Sequence, residues 1–250
     1  MDAAEIEVFL LRAWPALEER DLDGWRLRFA GGYTKRANSV AVLGTSCRRL
    51  EEKVRECEAA YAERGLPAIF KINEFSPDAG QLDTILAERG YALVDACLVL
   101  GLNVPDCAAD GDGLPERTTE AETLGQEEWL AAHAQLAGLA DSEPHRRILS
   151  RIDMPCLHAA LAHDGRLAAC GLAVLESPLC AVFDLLVRKD LRRQGLGLRL
   201  SRAMLAWAAQ GGARRIVLQA LISNEPALTL YRSLGFAPLY RYWYRKKIAG

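Results

Sequence analysis

The sequence lacks the marks of several large protein classes. A membrane-spanning helix needs a run of about 18 apolar residues, and no run in these 250 residues approaches that length, so no membrane span is predicted. The first residues are acidic, where a secretory signal peptide carries lysine and arginine. The 31 basic residues nearly balance the 33 acidic ones, which gives no general reason to expect a nucleic-acid partner. We therefore expect a globular cytoplasmic protein that contacts neither membrane nor nucleic acid.

Disulfide and metal-site signatures are also missing. The seven cysteines are odd in number and include no CxxC pair, and the four histidines include no HExxH. Cys156 and His158 lie close together, but two potential ligands do not make a zinc site. The sequence predicts reduced thiols, structural or incidental histidines, and no metal.

Two common phosphate-binding loops are absent as well. GxxxxGK[ST] does not occur, which excludes a P-loop. Gly195 and Gly197 begin a GxG, but the third small residue of the dinucleotide fingerprint is missing, and no acid follows about 20 residues on. A nicotinamide-dinucleotide fold is therefore only a distant alternative.

Hydrophobic periodicity predicts regular structure across the second half of the chain. Apolar spacing and turn residues indicate helices at 126–140 and 144–152, strands at 157–163, 167–175 and 180–187, a helix from 196 to 210, a strand at 214–222, a helix beginning near 226, and a last strand at 236–247. The aromatic and basic residues of 240–247 could stack on RNA, but a strand with a solvated basic end is favoured.

A weak internal repeat suggests two related domains. Residues 82–91 and 227–236 both read as a short amphipathic helix, a capping glycine and an aromatic residue entering a strand, at an offset of 145 residues. Residues 105–115 are rich in glycine, proline and aspartate and lack apolar periodicity. We therefore expect a first domain at 1–104, a linker at 105–115 and a second domain at 116–250.

The segment 184–199 is the most informative for chemistry. A strand leads into a basic turn with two glycines, and the turn opens a helix, whose N-terminal amides and dipole favour an anion. Six basic residues lie between 188 and 202, and this local clustering suits a polyphosphate. They are Arg188, Lys189, Arg192, Arg193, Arg199 and Arg202. The plainer alternative is a capped helix with a solvated basic face.

A second motif follows at a characteristic distance. RxxGxG begins at Arg192, and NxxAxxxYxxxGF begins at Asn224 after a predicted buried strand. Together, in this order, they strongly resemble the GNAT superfamily of acyl-CoA-dependent N-acetyltransferases over residues 116–250. Residues 24–39 resemble the N-terminal part of a bacterial tandem-GNAT group with a degenerate first domain. The first half lacks RxxGxG and has Leu86 where the repeat would place a tyrosine.

This resemblance implies a fold and a cosubstrate. The expected fold is α/β, a tandem GNAT (acyl-CoA N-acyltransferase) fold with mixed, mainly antiparallel sheets flanked by helices, and only the second domain is expected to catalyse. Acetyl-CoA would place its pyrophosphate on the loop that comprises Arg192, Arg193, Gln194, Gly195, Leu196, Gly197 and Leu198. Its pantetheine arm would pair with Leu185, Leu186 and Val187, and Asn224 would contact that arm or cap the following helix.

The resemblance also implies catalytic roles. Tyr231 matches the family's general acid, with core packing as its alternative role. Some members carry a glutamate base where this chain has Gln219, so Asp184 is the substitute candidate, beside a structural or substrate-binding role for it. Deprotonation through water, or an amine that arrives neutral, stays open.

The implied reaction is acetyl transfer to a primary amine on a small molecule, peptide or protein. Direct attack would occur within a ternary complex. Transfer of a longer acyl group and a non-catalytic acyl-CoA sensor are the alternatives. Six first-half residues could shape an acceptor pocket between the domains, although a hairpin of the first domain is the favoured interpretation: Trp25, Arg28, Tyr33, Lys35, Arg36 and Asn38.

Overall fold

The computed structural model describes residues 1–105 and 121–247. The described residues form seven α-helices: α1 (Ala3–Ala13), α2 (Leu50–Ala62), α3 (Ala79–Glu88), α4 (Gln126–Ala137), α5 (Glu143–Leu149), α6 (Leu196–Gln210) and α7 (Glu225–Ser233). They also form eleven β-strands: β1 (Glu18–Leu22), β2 (Trp25–Phe29), β3 (Val40–Val42), β4 (Ile69–Asn73), β5 (Tyr91–Asn103), β6 (Ala121–Thr123), β7 (Cys156–His163), β8 (Arg166–Glu176), β9 (Leu179–Val187), β10 (Arg215–Leu221) and β11 (Ala237–Lys247).

All eleven strands belong to one continuous sheet. Their order is β1-β2-β3-β4-β11-β5-β10-β9-β8-β7-β6. Pairs β3–β4 and β9–β10 are parallel and the others are antiparallel. The α/β class and the mixed, mainly antiparallel sheet agree with the prediction. The sheets expected for the two halves are instead joined edge to edge.

The join is made by an exchange of strands between the halves. β5, the last strand of the first half, pairs with β10 from Arg215↔Asn103 to Leu221↔Cys97. β11, the last strand of the chain, lies between β4 and β5, opposite Asn73 at Tyr242. In each of the two repeated helix–glycine–strand units, the strand therefore pairs with a strand of the other half of the chain. The predicted linker lies outside the described residues from 106 onward, and the domain limits stay predictions.

Local sequence explains the elements that carry the site. Asp164 and Gly165 both have positive φ, 51° and 70°, and form the tight hairpin turn between β7 and β8 that their types predict. One face of α6 packs on the sheet through Leu196, Leu200 and Met204, all nearly inaccessible. The helix ends at Gly211, as expected.

A buried ion pair ties α1 to the exchanged strand. The Lys71 ammonium of β4 donates to the Glu7 carboxylate of α1, and Tyr240 of β11 donates its hydroxyl to the other Glu7 oxygen at 2.8 Å. Glu7 and Lys71 are 0% and 2% exposed. Both charges are therefore compensated inside the protein, which a buried ion pair requires.

Within the described residues, no helix combines the length and the hydropathy needed to cross a bilayer.

Candidate functional site

The strands β9 and β10 separate halfway along their length. They pair in parallel only where Leu179–Val182 lies beside Arg215–Leu218. Beyond that point β9 runs on to Val187 and β10 to Leu221, with no further pair between them among the described residues. Burial falls at the same place, from Phe183 at 3% exposed to half-buried residues from Asp184 to Val187. The separation leaves a strand edge open to an extended ligand.

A β-bulge at Asp184 marks the start of this open edge. Asp184 has φ of 50°, and the pairing of β9 with β8 shifts between Cys170 and Leu172. A bulge turns a side chain out of the regular alternation of a strand. Here the Asp184 side chain is 13% exposed and faces residues from three other segments.

The glycine loop follows directly from β9. After a 3-10 turn at Lys189–Leu191, Arg193 and Gly195 both take left-handed φ, 66° and 77°, and α6 begins at Leu196. The first amides of a helix have no acceptor within it and point out of its N-terminus, where an anion can bind them. Successive backbone N–H groups in a turn that includes left-handed residues can form such an anion-binding concavity. The loop also folds back on the strand, because Arg192 Nε donates to the Val187 carbonyl at 3.3 Å.

Tyr231 reaches the place where the two strands part. It belongs to α7 and lines a small cavity together with Val182 and Leu218, which form the last pair between β9 and β10. Its ring packs against Phe236, with centroids 5.8 Å apart, and 8% of the residue is exposed. Burial raises the pKa of Tyr231 to about 12, and the positive charge of Arg36 offsets part of that effect. Core packing and a position at the site therefore occur together.

The side chains of Asn224 and Gln219 both accept hydrogen bonds from within the protein. Asn224 caps α7, since its side-chain oxygen accepts from the Ala227 amide at 3.3 Å. Its contact with a coenzyme stays a prediction. Gln219 accepts a hydrogen bond from the Tyr242 hydroxyl at 2.7 Å, so its carbonyl oxygen is already occupied.

Two histidines that the sequence did not single out surround Asp184. His145 Nε2 of α5 lies 3.2 Å from Asp184 Oδ2, and His133 Nε2 of α4 lies 3.9 Å from the same oxygen. The His145 contact is short but poorly aligned, so His145 Nε2 and Asp184 Oδ2 have no hydrogen-bond partner among the described residues. His145 is 1% exposed. The three groups form a buried set of acceptors within 4.8 Å of one another, which could receive an ammonium group or a metal ion.

Charge around Asp184 follows from this packing. Burial alone would raise the Asp184 pKa, but His145, the positive Arg36 and His133 together outweigh it, and the pKa lies below its ordinary value. Burial lowers the pKa of His133, and the neighbouring His145 lowers it further, although Asp184 opposes both. Asp184 is therefore an ionised carboxylate, and the neighbouring His133 is mainly neutral.

The first half of the chain contributes Arg36 to this site. Its Nη2 lies 3.7 Å from Asp184 Oδ1. Its guanidinium carbon lies 4.9 Å from the centre of the Trp14 ring and 5.5 Å from that of Phe183. Tyr33, from the same loop, places its ring 5.8 Å from that of His145.

The other four first-half candidates lie elsewhere or support the loop. Trp25 and Arg28 are both 1% exposed, within the first half of the chain. Lys35 pairs with Asp95 at 2.5 Å. Asn38 accepts from the Ala30 and Gly32 amides at 2.9 and 3.1 Å and so holds the loop together.

Comparison with known proteins gives a consistent answer over the whole chain. Residues 4–245 match the family model described as "Probable histone acetyltransferase Rv0428c C-terminal". The chain is 30% identical to the "Uncharacterized N-acetyltransferase YobR" of Bacillus subtilis, over 98% of this chain and 99% of that protein.

Solved structures share the fold. A GCN5-related N-acetyltransferase from Kribbella flavida superposes with a TM-score of 0.74 at 18% identity, covering 99% of this chain and 96% of that one. A tandem GNAT protein from the clavulanic acid biosynthesis pathway superposes with a TM-score of 0.61 at 18% identity, covering 85% of this chain and 76% of that one.

Proposed function

The chain belongs to the GNAT family of acyl-CoA-dependent N-acetyltransferases, and on that premise we propose that it moves an acetyl group from acetyl-CoA to a primary amine. The amine attacks directly in a ternary complex. The observation that carries this proposal is the separation of β9 from β10 beside the glycine loop, with Tyr231 at the point of separation.

The open edge and the loop fit the two ends of the coenzyme. The residues of β9 with a free edge, Leu185, Leu186 and Val187, pair with the amide-containing arm as an additional strand would. The pyrophosphate binds the amides of 193–198, with Arg192 and Arg193 as neighbouring cations. Asn224 lies at the start of α7 and contacts the arm. An amide of Leu186 or Val187 polarises the thioester carbonyl.

The reaction needs one group that accepts a proton and one that donates. The amine nitrogen attacks the thioester carbon, a C–N bond forms, and the C–S bond breaks with its electron pair on sulfur. Tyr231 gives its phenolic proton to the departing thiolate. The amine sheds its excess protons to Asp184 or to water, and one of them finally restores the tyrosine. The products are the N-acetylated amine and free CoA thiol.

Asp184 is the proposed base because of where its two oxygens lie. Oδ1 faces Arg36 and Oδ2 faces His133 and His145, and Asp184 begins the stretch of β9 whose edge is open. Because Asp184 is ionised, it attracts an ammonium group. The ammonium loses one proton to water before the nitrogen can attack, and Asp184 accepts the second proton, which becomes acidic as the C–N bond forms.

The test measures thiol release after acetyl-CoA is mixed with a panel of primary amines. We expect turnover by the wild-type protein, and for Tyr231→Phe an activity about a hundredfold or more lower with unchanged acetyl-CoA affinity. Acetyl-CoA binding without turnover of any amine would contradict an enzyme and support a sensor. Equal rates for both proteins would remove Tyr231 from the mechanism.

A further inference from the structure

We propose that the acceptor is a zwitterionic amine of the amino-acid type, whose ammonium binds beside Asp184 and whose carboxylate binds Arg36. This inference rests on the proposed function and adds the chemical class of the acceptor. It also gives the first half of the chain a role, because that half supplies the anion-binding side chain.

Buried residues fix the position of Arg36. The Arg28 side chain is 1% exposed and donates to the Arg36 carbonyl, while Arg28 Nε is held by Glu19 at 2.8 Å. Asn38 accepts from two amides on the other side of the loop. A loop held at both ends presents its side chain in a defined place, as a specificity residue requires.

The Arg36 guanidinium has hydrogen-bonding capacity left over. The Asp184 oxygen at 3.7 Å is beyond hydrogen-bond distance, and no other acceptor for this guanidinium occurs among the described residues. Trp14 and Phe183 lie against it, and the side chain is 30% exposed. Contact with aromatic rings uses none of the N–H groups of a guanidinium, which can bind a carboxylate through two parallel hydrogen bonds.

Charge balance selects the acceptor. The site holds one negative charge on Asp184 and one positive charge on Arg36, 3.7 Å apart. An acceptor with only an ammonium group would place its positive charge next to that of Arg36 without compensation. An acceptor with both charges matches each with its opposite.

The short separation also favours charges that lie close together on the acceptor. In an α-amino acid the ammonium and the carboxylate are bonded to the same carbon, so both fit within a site of this width. The side-chain amine of a lysine inside a protein has no carboxylate near it, and a peptide N-terminus has an amide in its place. Free amino acids and related small zwitterions are therefore the class that this geometry fits.

The experiment compares acceptors that differ only in the carboxylate. Thiol release at saturating acetyl-CoA is measured with an amino acid, its carboxamide, its decarboxylated amine and a histone-tail lysine peptide. The variants are Arg36→Met, Arg36→Lys and the control Arg20→Met, which removes an exposed cation that pairs with Glu56 on the first half. Thermal unfolding and the Kd for CoA show whether each variant is folded.

We expect kcat/KM in the wild type to favour the amino acid over its carboxamide by about tenfold to a hundredfold, the scale of a charged hydrogen bond. Arg36→Met should bring that ratio close to one, Arg36→Lys should restore part of it, and Arg20→Met should leave it unchanged.

Two outcomes would overturn the inference. A carboxamide, simple amine or lysine peptide that is acetylated as well as any amino acid would leave the acetyltransferase in place and remove the carboxylate subsite. An Arg36→Met variant that loses the same fraction of activity with every acceptor would also show that Arg36 does not bind the acceptor carboxylate. Absence of thiol release with all acceptors would instead count against the proposed function and this inference together.

Discussion

Two properties of the Tyr231 side chain bear on its proposed role as a proton donor. It stands at the point where β9 and β10 separate, and burial raises its pKa to about 12. A phenol with this pKa stays protonated and able to donate at neutral pH. Because a free thiol has a pKa of about 8.5, the proton moves to sulfur only as the attacking amine returns one to the phenolate.

The first prediction concerns the pH profile. In the proposed mechanism the protonated phenol is the active form, so activity is lost only as the pH rises through the pKa of Tyr231 in the folded protein, about 12. We therefore expect no alkaline fall in kcat that depends on Tyr231 between about pH 7 and about pH 10, where an unperturbed tyrosine would begin to ionise. A fall with a midpoint near pH 9 that disappears in Tyr231→Phe would show that the environment of the phenol differs from this description.

The second prediction concerns His145 as a positioning residue that acts through Asp184. His145→Gln should lower kcat/KM several-fold in the wild-type background and have little effect in Asp184→Asn, since residues in contact are energetically coupled. The matched control is His163→Gln, because His163 lies 3.6 Å from Asp164 on the exposed β7–β8 turn. Equal effects of His145→Gln in both backgrounds would make the histidine independent of the carboxylate.

The residues found from sequence and those missed differ in how they come together. Tyr231 and Asp184 belong to local motifs, so their spacing along the chain identifies them. The sequence did not single out His133 and His145, and it offered Arg36 only as a possible acceptor-pocket residue. These three meet Asp184 because α4, α5 and a first-half loop pack around one bulge. No local pattern encodes that meeting.

Among the secondary-structure elements, the turn from β9 into α6 is the one on which the proposed coenzyme binding depends most. It sets two left-handed residues ahead of a helix N-terminus, directly after an open strand edge. The strands and helices here agree with the sequence to within a few residues, because hydrophobic periodicity and turn residues are local signals. The β-bulge at Asp184 lies in the strand that leads into this turn.

The third prediction concerns Gly195 in this turn. Gly195→Val forces a β-branched residue into φ of 77°, at a strain of about 1–3 kcal/mol. We expect the Kd for CoA to rise at least about tenfold, because relief of that strain moves the amides that bind the pyrophosphate. Calorimetry with CoA makes the measurement.

Gly90→Val is the control for this change. Gly90 has φ of 80°, and neither glycine has an atom within 4 Å of the position that a Cβ would take. Both variants should lose similar stability, but only Gly195→Val should lose CoA affinity. Equal CoA affinity in the two variants would separate the glycine loop from coenzyme binding.

At the scale of the whole molecule, the exchange of β5 and β11 makes one sheet of the two halves. It brings Arg36 of the first half to Asp184 of the second and lets β11 contribute Tyr240 to the buried Glu7–Lys71 pair. The weak repeat predicted related halves but not this exchange. The sequence does not show which neighbours a strand pairs with, because the alternation of residues along β11 would be the same beside the strands of either half.

The fourth prediction tests that buried link. Lys71→Met leaves the Glu7 carboxylate buried without its cation and should lower the free energy of unfolding by about 3–5 kcal/mol. Lys247→Met removes an exposed lysine, 53% accessible, whose Nζ lies 3.0 Å from Glu58. Its effect should be about 1 kcal/mol or less. Chemical denaturation measures both, and similar losses would show that the buried pair contributes no more than a surface pair.

The most direct test of the account is a crystal structure of this chain with CoA bound. We predict that its pyrophosphate lies on the amides of 193–198, that its arm runs along Leu185–Val187 between β9 and β10, and that its sulfur lies within hydrogen-bond reach of the Tyr231 hydroxyl. A coenzyme found anywhere else on the protein, or one whose sulfur lies far from Tyr231, would contradict the account.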